Sequence, residues 1–326
     1  MAIGGDAGLR LAIVGATGAV GGRLLELIDE RAFACSELRL YSSEDHAGES
    51  IESGDVVRRV EVLSDPAELS DLDLVFVAVQ RGAAEPLLAA ISGPIVIDLS
   101  AAAMAPASVP LLAPGFASRD QVREQSRLKL FVIPHPGALA LATISGALGD
   151  FSFCAATLML GASALGHGAI NHLVEESADL LNGKLLLEEE DRQAAFNASL
   201  FPGASELEKN LLAQTAKLTG KPAPIALQCV YIPVLHGGAL CLGLPSSPGA
   251  EGWVAALRAA PGILLVENEE PPNVVDAIEQ EALLLSVAVR PAGTSIWCVF
   301  DNARRAALSA LWIAECLVPD SAEKLN

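Results

Sequence analysis

Leu9-Arg-Leu-Ala-Ile-Val-Gly-Ala-Thr-Gly-Ala-Val-Gly21 is the stretch on which the fold turns. Leu9–Val14 is short and almost wholly apolar, as in a parallel strand buried on both faces. Residues 22–30 then have helical spacing through Leu24, Leu27 and Ile28. Between them, Gly15 can make a tight turn, Gly18 lets backbone approach a pyrophosphate, and Gly21 allows the helix to pack closely on the strand. The helix start offers free N–H groups and a partial positive charge to phosphates. The stretch therefore reads as a dinucleotide-binding turn, with Gly15, Thr17, Gly18, Ala19 and Val20 as its contacts.

Further apolar runs follow at Leu38–Tyr41, Leu74–Val79, Ile95–Leu99 and Lys129–Ile133, separated by helical stretches. That alternation means βαβ units and a parallel sheet. The pattern changes after residue 136. Strands are expected at Thr157–Leu160, Ala226–Leu235, Ala239–Leu244 and Ile263–Val266, with Ala239–Leu244 as the partner of Ala226–Leu235 across His236-Gly237-Gly238. Ser286–Val289 and Thr294–Phe300 read as a hairpin around Pro291-Ala292-Gly293. Helices are expected over 169–181, 206–219, 252–259 and 303–317, the second ending at Gly220. The fold class is α/β: a Rossmann-type dinucleotide-binding domain plus an α+β domain.

The chain has 326 residues, enough for two domains. Apolar residues make up 52% and aromatics only 4%, so the core must be aliphatic. The net charge of −19 repels phosphate backbones and anionic lipid, which argues against nucleic acid and membrane surfaces as partners. Six scattered cysteines without C-x-x-C spacing read as reduced, cytoplasmic thiols, and the first residues lack the pattern of a signal peptide. Phe151–Val174 carries no Asp, Glu, Lys or Arg and has the length of a membrane span. It also holds Ser152, Ser163, His167, Asn171, His172 and three glycines. A buried strand, a glycine turn and a helix start explain it better.

Several stretches carry a resemblance. Leu11–Gly21 is similar to the opening of aspartate-semialdehyde dehydrogenases. Ser36-Glu-Leu-Arg-Leu-Tyr-Ser-Ser-Glu-Asp-His-Ala-Gly48 resembles that family's S-E-L-R-L-x-A-S-x-R-S-A-G. Val96–Ser100, Val109–Pro114, Ala195–Asn197, Cys229–Val234 and Trp297–Asn302 match in order, so the resemblance spans nearly the whole chain. It implies a Rossmann-type domain of residues 1–136 completed by a C-terminal helix, 303–326. It also implies an α+β domain of 137–302 that holds the reaction centre and gives a large sheet surface to a homodimer. The family reaction uses a Cys thiolate against an aldehyde, a His as acid and base, hydride transfer to nicotinamide, and phosphate to release the thioester.

The chain departs from the family where that chemistry sits. The nucleophile motif N-P-N-C-S/T-T is matched by His135-Pro136-Gly137-Ala138-Leu139-Ala140, which puts Ala138 at the Cys position. The base motif V-P-V-F/W-R-G-H-S is matched by Ile232–Ala239, which puts Gly238 at the His position. The carboxylate-holding Arg corresponds to Tyr231, the active-site Gln to Leu160, the phosphate-holding Arg to Met104, and a Lys to Asn210. No metal site is implied. The cofactor would be NAD or NADP, but the Arg that holds the 2′-phosphate corresponds to Asp45, with Glu44 beside it, which argues against a preference for NADP. Ser42 and Ser43 remain as hydrogen-bond donors there.

The whole pattern is similar to the Usg-type homologues of the family, paralogues without an assigned reaction. The leading reading is a catalytically degenerate homologue that keeps a nucleotide pocket and a dimer. The alternatives are an active NAD(P)-dependent oxidoreductase on another, less anionic substrate, and a working aspartate-semialdehyde dehydrogenase of amino-acid biosynthesis. His135 and His236 beside the emptied positions read as structural. His167 and His172, five apart, point to different helix faces and do not suit a metal. Cys229 and Cys298 lie in apolar strands and read as inert thiols.

Overall fold

The structure is a computed structural model that describes residues 8–54, 56–100, 109–184, 193–246 and 250–318. Met104 and the acidic run Glu188–Asp191 lie outside these residues. The chain divides into two compact units, Met1–Pro134 with Ala306–Asn326, and His135–Arg305.

In the first unit the strands are β1 (Leu9–Val14), β2 (Cys35–Ser42), β3 (Ser50–Ser53), β4 (Val56–Val62), β5 (Leu74–Val77), β6 (Ile95–Asp98) and β7 (Leu130–Val132). The helices are α1 (Ala19–Glu30), α2 (Arg81–Ala90) and α3 (Arg119–Gln125). The sheet order is β3-β4-β2-β1-β5-β6-β7, parallel except for the β3–β4 pair. The strand order reverses between β1 and β5, the switch point at which doubly wound sheets bind ligands. Alternate residues feed opposite faces. Leu11 and Ile13 join a core with Leu24, Leu27 and Ile28, whereas Ala12 and Val14 join another with Val75, Val77 and Ala84. The first core is closed by Ala307, Ala310, Leu311 and Ala314 of the last helix.

The second unit carries α4 (Pro136–Leu148), β8 (Cys154–Leu160), α5 (His167–Leu181), β9 (Ser199–Leu200), α6 (Ala204–Thr219), β10 (Ile225–Tyr231), β11 (Gly238–Pro245), α7 (Ala250–Ala259), β12 (Ile263–Leu265), β13 (Leu283–Arg290) and β14 (Gly293–Phe300). The last helix, α8 (Asn302–Leu317), begins here. The sheet order is β12-β13-β14-β11-β8-β10-β9. The charge-free stretch 151–174 becomes β8, a glycine-flanked turn and the start of α5. No helix among the described residues is long and apolar enough to cross a membrane.

One expected pairing is wrong. β10 and β11 are not partners, because β8 lies between them, parallel to β10 and antiparallel to β11. The strand expected over Ala226–Leu235 ends at Tyr231, since Pro233 has no N–H to continue a ladder. The segment 232–237 instead passes over the end of β8, held by Ile232 N–H to Leu160 O (3.0 Å), Ala162 N–H to Val234 O (2.8 Å) and Ser163 N–H to Leu235 O (2.9 Å).

Candidate functional site

Two places hold the residues singled out above. The first is the turn between β1 and α1. Gly15 has φ +95°, and a Cβ there would lie 2.5 Å from Ala78 O. A Cβ on Gly21 would lie 2.0 Å from Gly15 O. The fold itself therefore requires both glycines. Gly18 differs: its backbone is extended, and a Cβ would meet Gly15 O at 3.2 Å. Gly18 is the N-cap of α1, no side chain caps it, and the first turn holds no carboxylate. The helix start is open to an anion, as the phosphates of a dinucleotide require.

The turn is tied to the end of β2. Gly15 and Ala16 N–H both donate to Tyr41 O, at 2.8 and 3.0 Å, and the hydroxyls of Thr17 and Ser42 share a hydrogen bond. Ser43 then leads into a short 3-10 turn over Glu44–His46 without capping it by its side chain. Ser43, Glu44 and Asp45 are exposed at the end of the strand whose carboxyl terminus faces the ribose side of such sites. Thus Gly15, Thr17, Gly18, Ala19, Val20, Ser42, Ser43 and Asp45 are brought together, and their chemistry fits a dinucleotide.

The second place lies in the unit His135–Arg305. Tyr231 is in register with Leu160, Leu160 with Gly238, and Gly238 with Phe300. These four residues form one row across β10, β8, β11 and β14, all buried. Leu158 continues the same face and meets α4, where a Cβ on Gly137 would lie 2.6 Å from its side chain. Ala138 follows in the first turn of α4 and has no exposed surface. The structure therefore gathers on one row three of the residues that the resemblance sets against catalytic positions. What they offer is a hydrocarbon, a phenol and a bare backbone.

His135 is the N-cap of α4. Its Nδ1 accepts from Gly137 N–H at 3.0 Å, and its own N–H donates to Gln214 Oε1 at 2.7 Å. Burial pulls its pKa down to about 4, so the ring is neutral, as an accepting Nδ1 demands. The unfolded chain binds a proton near pH 6.5 that the folded chain refuses until about pH 4. Stability is therefore lost as pH falls from about 6.5 towards 4, by up to roughly 3 kcal/mol. Asn also caps helices well. His135→Asn should keep the pH 7 stability and flatten this part of the acid loss, read as urea midpoints at pH 7 and pH 4.5. An unchanged acid loss would contradict the capping role.

Asn210 lies on α6 one turn before Gln214, half-buried, with its amide donating to Glu206 Oε1 at 3.3 Å, whereas Lys209 is exposed. His236, His167 and His172 are exposed, and no cluster of metal-binding side chains exists among the described residues. Cys229 and Cys298 are buried, and burial pushes both pKa values up to about 12, so they stay protonated thiols. Two residues escaped the sequence reading. Gln214 holds the start of α4. Phe300 shares the row of Tyr231, Leu160 and Gly238, and the period of two through Ile296, Cys298 and Phe300 would have placed it on that buried face.

Residues 10–125 match the family model of the semialdehyde dehydrogenase NAD-binding domain. The chain is 33% identical to a USG-1 protein homolog of Pseudomonas aeruginosa over 95% of its length and 98% of the relative's. It is 30% identical to an aspartate-semialdehyde dehydrogenase of Legionella pneumophila over 98% of each. The solved structure of a probable aspartate-semialdehyde dehydrogenase from Pseudomonas aeruginosa superposes with a TM-score of 0.80 at 30% identity, covering 95% of this chain and 98% of that one.

Proposed function

The chain belongs to the aspartate-semialdehyde dehydrogenase family, and from that premise we propose that it binds a nicotinamide dinucleotide and pairs with a second copy but lacks the covalent chemistry. One observation carries the reading. Ala138, Leu160, Tyr231 and Gly238, the positions of the nucleophile and its helpers, include neither a nucleophile nor a base that works at neutral pH. A hydrocarbon cannot attack a carbonyl, and burial pushes the Tyr231 phenol further from ionisation.

The dinucleotide would rest on the N–H groups at the start of α1, with Gly18 keeping the approach clear. Such a cofactor supplies hydride transfer when a substrate is seated against it. Asp45 and Glu44 put negative charge where the 2′-phosphate of NADP would lie and where the ribose hydroxyls of NAD accept a carboxylate. The preference for NADP is accordingly lost. Calorimetric titration tests this: NAD should bind at least as tightly as NADP. Asp45→Arg should move the ratio towards NADP by about 5–150-fold, the range of a charge-assisted hydrogen bond. Gly18→Ala should remove binding of both with the fold retained. Clearly tighter NADP binding by the natural chain would contradict the proposal, as would no binding of either.

The dimer has a surface to form on. Ala226, Ala155, Gly243, Ser295 and Ala288 make one in-register row across five strands, and Gln228, Thr157, Cys241, Trp297 and Ser286 make the next. All ten residues are exposed or half-buried, and none carries a charge. This uncharged face, made of small residues apart from Gln228 and Trp297, suits packing against a second sheet.

A further inference from the structure

Gly237 and Gly238 stand side by side for different reasons. Gly237 has φ +87°, which favours glycine on backbone grounds alone. Gly238 has no such backbone. It is the first residue of β11, paired directly with Phe300 of β14. A Cβ on Gly238 would lie 3.0 Å from Cζ and 3.2 Å from Cε2 of the Phe300 ring, and 3.2 Å from Met159 O. Phe300 has no exposed surface. A glycine in a strand interior marks close approach by a neighbour, and an aromatic ring laid over a cross-strand glycine is a recognised stabilising pair.

We infer that Phe300 is the residue that determines what position 238 can hold: its ring fills the space that a base at 238 would occupy. The inference rests on the proposed loss of the reaction, because it depends on Gly238 standing at the base position. It goes further by making that position filled, not merely vacant. A Cβ at 238 already asks the ring edge to give by a few tenths of an ångström, and the imidazole of a histidine needs room beyond that. The ring cannot swing to solvent, because Tyr231, Leu160 and Phe300 form a continuous buried row with Gly238. Returning a base to this chain therefore requires a smaller residue at 300 first.

The test is a double-mutant cycle on the full chain, read as thermal midpoints. Gly238→Ala should lower the midpoint by several degrees, as overpacking a buried site does. Phe300→Leu withdraws the ring edge and should also lower it by several degrees. The two together should lower it by clearly less than their sum, near the value for Phe300→Leu alone. Phe300→Leu should also let Gly238→His accumulate as folded protein where Gly238→His alone does not. Additive losses in the cycle would overturn the inference. That outcome would leave the proposed loss of reaction standing, whereas turnover of an aldehyde by the natural chain would overturn the loss without touching the cycle.

Discussion

Aspartate semialdehyde, phosphate and either nucleotide, mixed with this chain, should give no reduced nucleotide above background, and Ala138→Cys should not change that. Removing the nucleophile of a concerted centre costs roughly a millionfold in rate. Restoring it alone does not rebuild the centre. A thiol at 138 would sit in the first turn of α4, but the row it works with reads Tyr231, Leu160, Gly238, Phe300. No group there takes a proton from a thiol near neutral pH. His135 is three residues away, yet its Nδ1 is already an acceptor for Gly137 N–H and its pKa lies near 4. Gly238→His alone meets Phe300. Absorbance at 340 nm decides the matter. A phosphate-dependent rate in the natural chain, or one that appears with Ala138→Cys alone, would contradict this account.

Gly243→Arg should convert the proposed dimer into a monomer. Gly243 sits in the middle of the uncharged row, exposed, and a Cβ there meets only Ala155 O at an ordinary 3.9 Å. The folded chain can therefore carry a side chain at this position. In a twofold interface the guanidinium appears twice, buried against a face without acidic partners. Each buried charge costs several kcal/mol, so the dimer dissociation constant should rise on the order of a thousandfold or more. Light scattering at micromolar concentration reads the result: the mass of two chains for the natural protein, and of one for the variant. Gly82→Arg, on α2 with nothing within 4 Å of its Cβ, should remain a dimer. A natural chain with the mass of one copy would contradict the proposed pairing.

The sequence made the first unit legible because its signals are local. Leu9–Val14 is the strand expected, and each glycine of the turn has a steric reason that the spacing anticipated for Gly15 and Gly21. α1 starts three residues earlier than the hydrophobic spacing suggested, because Ala19 and Val20 in its first turn are only half-buried, Val20 packing at the edge of the core. The β3–β4 hairpin was unread, since Val56 and Val57 are exposed and Arg58 and Arg59 interrupt the apolar pattern. In the second unit the strands were legible but one partnership was not. Whether β11 pairs with β10 or with β8 depends on residues 78 to 88 positions away, and a short connection bearing His-Gly-Gly resembles a hairpin locally.

The candidate site divides in the same way. The resemblance located the positions Ala138, Leu160, Tyr231 and Gly238 one by one. That three of them share a row follows only from strand register. Phe300 lies in the matching stretch Trp297–Asn302, but nothing local links it to Gly238; that follows only from the register of β14 against β11.

A nucleotide site without covalent chemistry should stay silent in a single-turnover experiment. The chain, at a concentration well above its nucleotide dissociation constant, is mixed with NAD or NADP, aspartate semialdehyde and phosphate, and absorbance at 340 nm is followed from the first milliseconds. The trace should stay flat with both nucleotides. A burst approaching one reduced nucleotide per chain would contradict it.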